Sequence, residues 1–305
     1  MANLQDIRDR ISSVENTKQV TSAMKMVSAA KLRRAQEAIF QTRPYSFRMS
    51  EVISHIKKHV DPSLHPLFQE RKEKNAVLLV IVTADRGLAG AFNTTILKLA
   101  EKTISERFAR QKESENLFLI CVGKKGHEHF QKQGYQLIGD FRGAFDRISF
   151  ETAYDVTELA REGYNDNRWD EVHVIYNEFK NTIAQNRIVE QLFPIPAELY
   201  LTPVMESEMT HVAEYKEGES VDYLFEPDAE TILDVLAPRY VRHKLWRIFL
   251  ESNASEQGAR MVAMDSATTN AEEMLGNLRL TYNRARQDAI TNELIEITSG
   301  ADALG

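Results

Sequence analysis

Residues 2–60 contain no glycine, and Pro44 is the only proline among them. Because glycine and proline are the residues that most disfavour a helix interior, this stretch predicts one long helix. At about 1.5 Å per residue, the helix would be on the order of 80 Å long. A helix of this length cannot be buried in a compact core, so it must find a partner helix along its apolar side.

The apolar residues at the start of this segment are three and four residues apart in turn, like the seam of a coiled coil. These residues are Leu4, Ile7, Ile11 and Val14. The stripe is expected to continue less regularly through Val20, Met24 and Val27, and then through Leu32, Ala35 and Ile39. Lys18, Lys25 and Ser28 stand where a strict heptad would place apolar residues, so a regular coiled coil over the whole length is not expected.

A second long helix is predicted at the other end of the chain, over residues 228–305. It also carries an apolar stripe at the spacing of a helix. The residues of that stripe are Met264, Ala267, Ala271, Met274, Leu278, Tyr282, Ala285 and Ala289. Since each terminal helix can cover the other's apolar seam, the sequence predicts an antiparallel coiled coil made from the two ends of one chain.

The middle of the chain has the alternating pattern of strands and helices that is typical of an α/β layer domain with a mostly parallel sheet. Three β-rich runs, residues 76–84, 116–123 and 171–179, alternate with helical candidates. Those candidates are residues 94–111, 124–133 and 149–164. The predicted organisation is a helix over 1–60, a Rossmann-like α/β domain over 75–205, a linker over 206–227 and the final helix over 228–305.

We find no recognisable catalytic, cofactor-binding or metal-binding motif. The loop TADRGLAGAFN (83–93) lies between a strand and a helix, but it matches neither the GxxxxGK[ST] nor the GxGxxG pattern. The glycines of a tight turn explain it more simply, although an enzyme that binds a nucleotide here is one alternative. His55 and His59 have a spacing that could bind zinc, yet lysines lie between them, so solvated histidines are the simpler interpretation.

Composition limits the partners of the chain. A net charge of −7 argues against nucleic acid, although a DNA-binding coiled coil that uses the basic first helix is a second alternative. The longest strongly apolar run, residues 76–82, is too short to cross a bilayer. One cysteine, Cys121, allows no internal disulfide. Cations outnumber acids in residues 4–34, which fits either a solvated helix face or a basic stalk facing an acidic protein surface.

Five segments, distributed from residue 7 to residue 304, resemble the gamma subunits of F-type ATP synthases. The first helix carries IRDRISSVENTKQVTSAMKMVSAAKLRRAQ (7–36), and the last carries ARMVAMDSATTNA (259–271) and YNRARQDAITNELIEITSGADAL (282–304). The loop at 83–93 and the segment YLFEPD (223–228) are similar as well. In the loop, Ala89 and Ala91 replace a cysteine and a glycine that are common in that family, and residues 140–164 and 205–220 match more loosely.

The resemblance implies a non-catalytic subunit of a proton-transporting ATP synthase. Its terminal helices would form a rotor shaft inside a hexamer of alpha and beta subunits, and its globular part would rest on the c-subunit ring together with epsilon. The shaft would couple ring rotation to ATP synthesis and hydrolysis at beta-subunit sites, with no cofactor of its own. The N-terminus resembles neither a signal peptide nor a transit peptide, so we expect a bacterial protein at the cytoplasmic side of the plasma membrane.

The resemblance also implies which residues contact partners. The contacts with the alpha–beta hexamer would be made by Met24, Lys25, Lys31, Arg33, Arg34, Arg260, Gln287, Thr291 and Glu293. The contacts with the c ring would be made by Tyr223, Phe225 and Glu226. For Met24, packing in the helix seam is the main role expected from its spacing.

Overall fold

The computed structural model describes residues 4–57, 59–61, 65–196, 202, 204 and 225–302, with side chains described through residue 299. Two compact units make up the chain: Met1–Ala30 with Arg260–Gly305, called here the terminal helix pair, and Lys31–Ala259, called the α/β unit. The first helix, α1 (Leu4–Ile56), and the last helix, α6 (Ala229–Asp302), each contribute to both units. The long terminal helices predicted from the sequence are confirmed.

The two terminal helices are continuous over 53 and 74 residues, with Pro44 inside α1 and Pro238 inside α6. Asp228 caps the start of α6, since its Oδ1 accepts the backbone N–H of Thr231 at 2.8 Å. Such a cap satisfies one of the backbone donors that the first turn of a helix leaves without an internal partner.

The α/β unit is built on a sheet in the order β3-β2-β1-β4-β5. Its strands are β1 (Val77–Val82), β2 (Leu117–Val122), β3 (Gln136–Leu137), β4 (Glu171–Phe179) and β5 (Gln185–Phe193). The pairs β1–β2, β1–β4 and β2–β3 are parallel, and β5 is antiparallel to β4. Every residue of β1 is buried, as expected for a central strand with both faces covered.

Helices cover both faces of this sheet. The connecting helices are α2 (Phe92–Arg107), α3 (Ala109–Glu113), α4 (Lys124–Lys132) and α5 (Phe150–Asn165). On one face, the side chains of Val77, Leu79 and Ile81 pack in a core with residues of α2 and α4. On the other face, the alternate β1 residues share a core with residues of α1, α5 and α6, including Ile53 and Leu245.

The predicted fold class, a Rossmann-like α/β domain between long terminal helices, is confirmed. The three predicted strands correspond to β1, β2 and β4, and the predicted helices correspond to α2 with α3, α4 and α5. The sequence prediction missed β3, which has two residues, and β5. β5 is an edge strand rich in polar residues, so it lacks the apolar run that identified the central strands.

Candidate partner-binding surfaces

The terminal helix pair is an antiparallel pair, because successive contacts along α1 meet successively earlier residues of α6. Arg279 Nη2 lies 2.7 Å from Glu15 Oε1, whereas Lys25 pairs with Asp265 further along. Apolar residues line the seam: Ile7 from α1 and Met264, Ala271 and Leu275 from α6 are buried. The two helices therefore cover each other's apolar stripe, as the sequence predicted.

The middle of the seam also carries polar contacts. Lys18 Nζ lies 2.9 Å from Glu272 Oε1, and Lys25 Nζ lies 2.5 Å from Asp265 Oδ1. Between these two ion pairs, the hydroxyl oxygens of Thr21 and Thr268 are 2.8 Å apart. Lys18 and Lys25 therefore lie at the edge of the seam, where 38% and 44% of their side chains are exposed, and each pairs with a carboxylate of the other helix.

This arrangement corrects the predicted course of the apolar stripe. Val20 and Val27 do not continue the seam, since their side chains are 58% and 56% exposed. On α6, Leu275 is buried and Met274, which was predicted to lie in the stripe, is exposed. The physical reason is that the seam keeps a constant seven-residue repeat through the buried Thr21 and Ser28, whose small polar side chains take the place of apolar ones.

The predicted basic contact residues fall into two groups. Lys31, Arg33 and Arg34 are exposed on the part of α1 that belongs to the α/β unit. The Arg33 side chain is 83% exposed even though its Nε lies 3.2 Å from Glu37 Oε1. Lys25 differs, because it pairs within the chain to Asp265. Met24 is half-buried in the terminal helix pair.

Of the predicted contact residues on α6, Arg260 is buried, whereas Gln287, Thr291 and Glu293 are exposed. Every residue from 290 to 299 is exposed, and several of them are apolar. Those apolar residues are Ile290, Leu294, Ile295 and Ile297. The end of α6 thus exposes a run of apolar side chains, a feature typical of surfaces that bind partners.

Of the residues predicted to contact the c ring, Tyr223 lies outside the described residues. Phe225 is half-buried at the edge of the α/β core, and its ring centroid lies 5.2 Å from that of His59 in an edge-on arrangement. Glu226 is exposed. Phe225 therefore packs against its own domain while part of its side chain stays exposed.

The buried polar side chain of the loop at 83–93 binds backbone groups of neighbouring segments. Asp85 is buried, and its carboxylate accepts backbone N–H groups of Lys124 at 2.7 Å, Gly143 at 2.8 Å and Phe145 at 2.7 Å. Gly123 has a φ of +99°, and a Cβ there would lie 2.1 Å from the carbonyl oxygen of Thr83. These contacts tie the 83–93 loop to the neighbouring strand-to-helix junction between β2 and α4.

Helix α6 also covers the edge of the sheet at which Rossmann-like folds bind ligands, the carboxyl ends of the strands where the strand order reverses. Ala259 packs against the buried cluster of Ala84, Ala89 and Phe92. Ser255 Oγ lies 3.3 Å from the carbonyl oxygen of Asn177 near the end of β4. The alternative of a nucleotide-binding enzyme would need this crevice to be open.

A cluster of charged residues that the sequence analysis did not identify lies buried between β4, β5 and α6. Lys244 Nζ lies 2.8 Å from Glu190 Oε1, and the hydroxyl of Tyr176 donates to Glu190 Oε2 at 3.2 Å. Arg247 Nη2 lies 3.7 Å from the same carboxylate. Burial would lower the pKa of Lys244, but the attraction of Glu190 and of Tyr240 together raises it above its ordinary value.

A second buried pair ties α1 to α6 within the α/β unit. Arg43 Nη2 lies 2.9 Å from Glu251 Oε1, and the other carboxylate oxygen of Glu251 accepts the backbone N–H of Phe179 at 3.1 Å. Buried ion pairs with several hydrogen bonds add little net stability, but they fix one arrangement of the elements they join. Helices α1 and α6 are therefore held to the sheet in a defined orientation.

In the described part of the chain, no helix combines the length and the apolar character needed to cross a bilayer. The same residues contain no group of three or more His, Cys, Asp or Glu side chains placed to hold a metal ion. The rings of His55 and His59 are stacked with centroids 6.4 Å apart, and His59 Nδ1 lies 3.1 Å from the carbonyl oxygen of His55.

Together the fold and these surfaces define a class: a Rossmann-like domain with a covered ligand crevice whose terminal helices pair with each other. A family model described as ATP synthase matches residues 3–304. The ATP synthase gamma chain of Salinibacter ruber is 57% identical over 304 residues, covering 100% of this chain and 99% of the relative. That of Chlorobium phaeobacteroides is 48% identical with the same coverage. The chain belongs to the ATP synthase gamma-chain family.

Solved structures share the fold. A chain in the OSCP/F1/c-ring structure of the Euglena gracilis mitochondrial ATP synthase is similar with a TM-score of 0.62 and 19% identity, covering 99% of this chain and 94% of that one. A chain in the central stalk and c-ring structure from Tetrahymena thermophila has a TM-score of 0.53 and 23% identity, covering 81% of this chain and 99% of that one.

Proposed function

We propose that this chain is the central rotor shaft of a proton-translocating ATP synthase and carries no catalytic residue of its own. The observation that carries the proposal is the full-length relationship to proteins named ATP synthase gamma chain. Its partners are the alpha and beta subunits, epsilon and the ring of c subunits. Its place is the cytoplasmic side of a bacterial plasma membrane, where it is peripheral to the bilayer.

The terminal helix pair supports a role inside the alpha–beta hexamer. The end of α6 exposes apolar side chains on a single helix, with Ile297 68% exposed, and an enclosing partner would remove them from water. Gln287, Thr291 and Glu293 lie on the same exposed segment and would contact that partner. Arg260 is buried, so its influence on the partner would pass through the helix seam.

Coupling in this proposal is allosteric. A shaft that presents different side chains in different directions contacts the three beta subunits differently and biases each towards a different nucleotide affinity. By reciprocity, nucleotide binding and hydrolysis bias the angle of the shaft. Met24 and the exposed cations Lys31, Arg33 and Arg34 would be contact residues in this exchange, whereas Lys25 would act mainly through its pair with Asp265.

The first expected result is that the purified chain has no ATPase activity and restores cooperative ATP hydrolysis when it is added to alpha and beta subunits. The chain alone should be inactive because the Asp85 carboxylate of the 83–93 loop already accepts backbone N–H groups and because α6 covers the sheet edge. Steady-state hydrolysis with and without the chain measures it. Turnover by the chain alone that disappears on Asp85→Asn or Arg86→Ala would refute the rotor proposal.

The second expected result concerns the contact with the ring. Changing Tyr223→Ala and Phe225→Ala together should leave ATP hydrolysis in place while proton pumping falls, because aromatic anchors at an interface are worth about 2 kcal/mol or more each. Both activities are measured on the same membranes. His59→Ala is the control, because it removes the packing partner of Phe225 within the domain and leaves the anchor. If His59→Ala lowered pumping as much as the double variant does, Phe225 would only pack within its own domain and the ring contact would be refuted.

A further inference from the structure

A small cavity lies inside the α/β unit where α1, β5 and α6 meet. Its volume is about 20 Å³, and its polar lining includes Ser46 and Ser50 from α1, Glu190 from β5, and His243 and Arg247 from α6. Ser46 and Ser50 are one turn apart on the same face of α1, and their side chains are small enough to leave this space. Because one water molecule needs a cavity of about 10–15 Å³, the space suits a single water and excludes larger ligands.

Three polar atoms that line the cavity are buried and have no hydrogen-bond partner among the described residues. They are Glu190 Oε1, His243 Nδ1 and Arg247 Nη1. Lys244 Nζ lies 2.8 Å from Glu190 Oε1, but this ion pair is not aligned as a hydrogen bond. A buried polar atom without a partner is costly, and nearly all such atoms in folded proteins pair with protein groups or ordered water. The three atoms therefore mark a position for a hydrogen-bonding ligand.

The chemistry of Arg247 and Glu190 selects the kind of ligand. Arg247 Nη2 lies 3.7 Å from Glu190 Oε2, which is longer than a direct hydrogen bond. A guanidinium group only donates hydrogen bonds, and an ionised carboxylate only accepts them. A ligand that pairs with both must accept from one and donate to the other. Water does so, whereas a metal cation cannot accept and a simple anion cannot donate.

The other lining groups are compatible with water as well. Ser46 Oγ donates to the carbonyl oxygen of Thr42 at 3.3 Å, and Ser50 Oγ donates to that of Ser46 at 3.0 Å. Their lone pairs therefore remain available as acceptors. Burial and the charge of Arg239 lower the pKa of His243, so its ring is neutral near pH 7 and adds no positive charge that would attract an anion.

We propose that this cavity binds one ordered water molecule, which accepts a hydrogen bond from Arg247 Nη1 and donates one to Glu190 Oε1. A third hydrogen bond, to His243 Nδ1 or a serine hydroxyl, gives the total of about three that is typical of buried water. The water completes the buried charge cluster and links α1, β5 and α6 where the two long helices pack on the sheet. It is a structural ligand of the α/β unit, and its presence does not depend on the rotor proposal.

The direct test is crystallographic. Crystals of the full-length chain, alone or within its complex, are grown in chloride and in bromide and measured at a resolution that shows ordered water. We expect one density peak within about 2.7–3.2 Å of both Arg247 Nη1 and Glu190 Oε1, with no anomalous signal in bromide. An anomalous peak would replace the water site by an anion site. No density beside well-ordered Arg247 and Glu190 side chains would show a dry cavity, and either result would overturn the proposal.

A pair of variants at Ser46 tests the same site by stability. Ser46→Val places methyl groups in the cavity and expels the water, whereas Ser46→Ala leaves room for it. The unfolding equilibrium constant of Ser46→Val should be about ten-fold higher than that of Ser46→Ala, because Arg247 and Glu190 lose a hydrogen-bond partner. Filling a dry cavity would have the opposite effect and raise stability. Urea unfolding measures both variants, and the density peak should persist only in Ser46→Ala.

Ser105→Val and Ser105→Ala are the matched controls. Ser105 is an exposed helical serine of the same unit, and its hydroxyl also donates to a backbone carbonyl, that of Lys102 at 2.9 Å. This pair measures the lower helix preference of valine alone and should differ by no more than about three-fold. An equal difference at positions 46 and 105, or a Ser46→Val variant at least as stable as Ser46→Ala, would overturn the water site.

Discussion

Changing Glu190 to leucine is expected to lower the free energy of unfolding by about 3–5 kcal/mol. Glu190 is buried between β5 and α6, where its carboxylate faces the ammonium of Lys244 at 2.8 Å and the guanidinium of Arg247 at 3.7 Å. Leucine would leave two buried cations without this carboxylate, and an uncompensated buried charge is among the most destabilising changes in a core. The shift in urea midpoint at constant m-value measures the effect.

Two further variants make this result specific. Glu106→Leu removes an exposed carboxylate, 62% exposed and 3.8 Å from Lys102, and should change stability by less than about 1 kcal/mol. Adding Lys244→Met to Glu190→Leu removes one of the two cations and should recover part of the loss. A loss below about 1 kcal/mol in Glu190→Leu would contradict the account of a buried, mutually dependent charge cluster.

Reversing Lys31, Arg33 and Arg34 to glutamate together is expected to reduce ATP-driven proton pumping by about ten-fold or more. These side chains are exposed, and like charges brought together at an interface cost several kcal/mol. Each single change should have little effect, since an exposed ion pair is worth roughly 0–1 kcal/mol. Lys25 is left unchanged because reversing its charge would also break its ion pair with Asp265, and the two effects on pumping could not be separated. Pumping and subunit content are measured on the same membranes.

The matched control reverses three exposed cations of α2 and α3, Lys102, Arg107 and Arg110. It changes the net charge of the chain equally but leaves α1 untouched. An equal loss of pumping in the control would show that total charge decides the outcome. Normal pumping in the α1 variant would mean that these cations face solvent and contact no partner.

The sequence predicted the fold because its strongest signals are local. The absence of glycine over residues 2–60 indicated the first helix, and the run at 76–82 indicated a strand covered on both faces. β5 escaped prediction since Gln185, Asn186 and Arg187 give it the composition of a loop. Its pairing depends on β4, which precedes it by a short loop but lies outside the segment itself.

The seam shows where pattern reasoning failed. An apolar criterion rejected Lys18 and Lys25 and continued the stripe through Val20 and Val27, which are exposed. Whether a lysine can lie at the edge of a seam depends on the facing residue, and that residue is more than 200 positions away in the chain. The matching one-heptad spacing of two cations and two acids was the available signal.

The buried charges were missed for a related reason. Lys244, Arg247 and Glu251 are three and four residues apart and so share one face of α6, beside apolar residues such as Leu245 and Ile248. Charges at that spacing usually line a solvated helix face. Only the sheet packed against α6, with Glu190 on β5, turns this face into a buried network.

The most direct test of the rotor proposal is to observe rotation. Lys102→Cys on the exposed surface of α2 would carry a probe, while the hexamer of alpha and beta subunits is fixed to a surface and supplied with ATP. The account predicts that the probe turns in one direction only, pauses at three equivalent angles and stops when ATP is exhausted. Continued ATP hydrolysis by a complex that holds the labelled chain, with a probe that fluctuates but never turns, would contradict it.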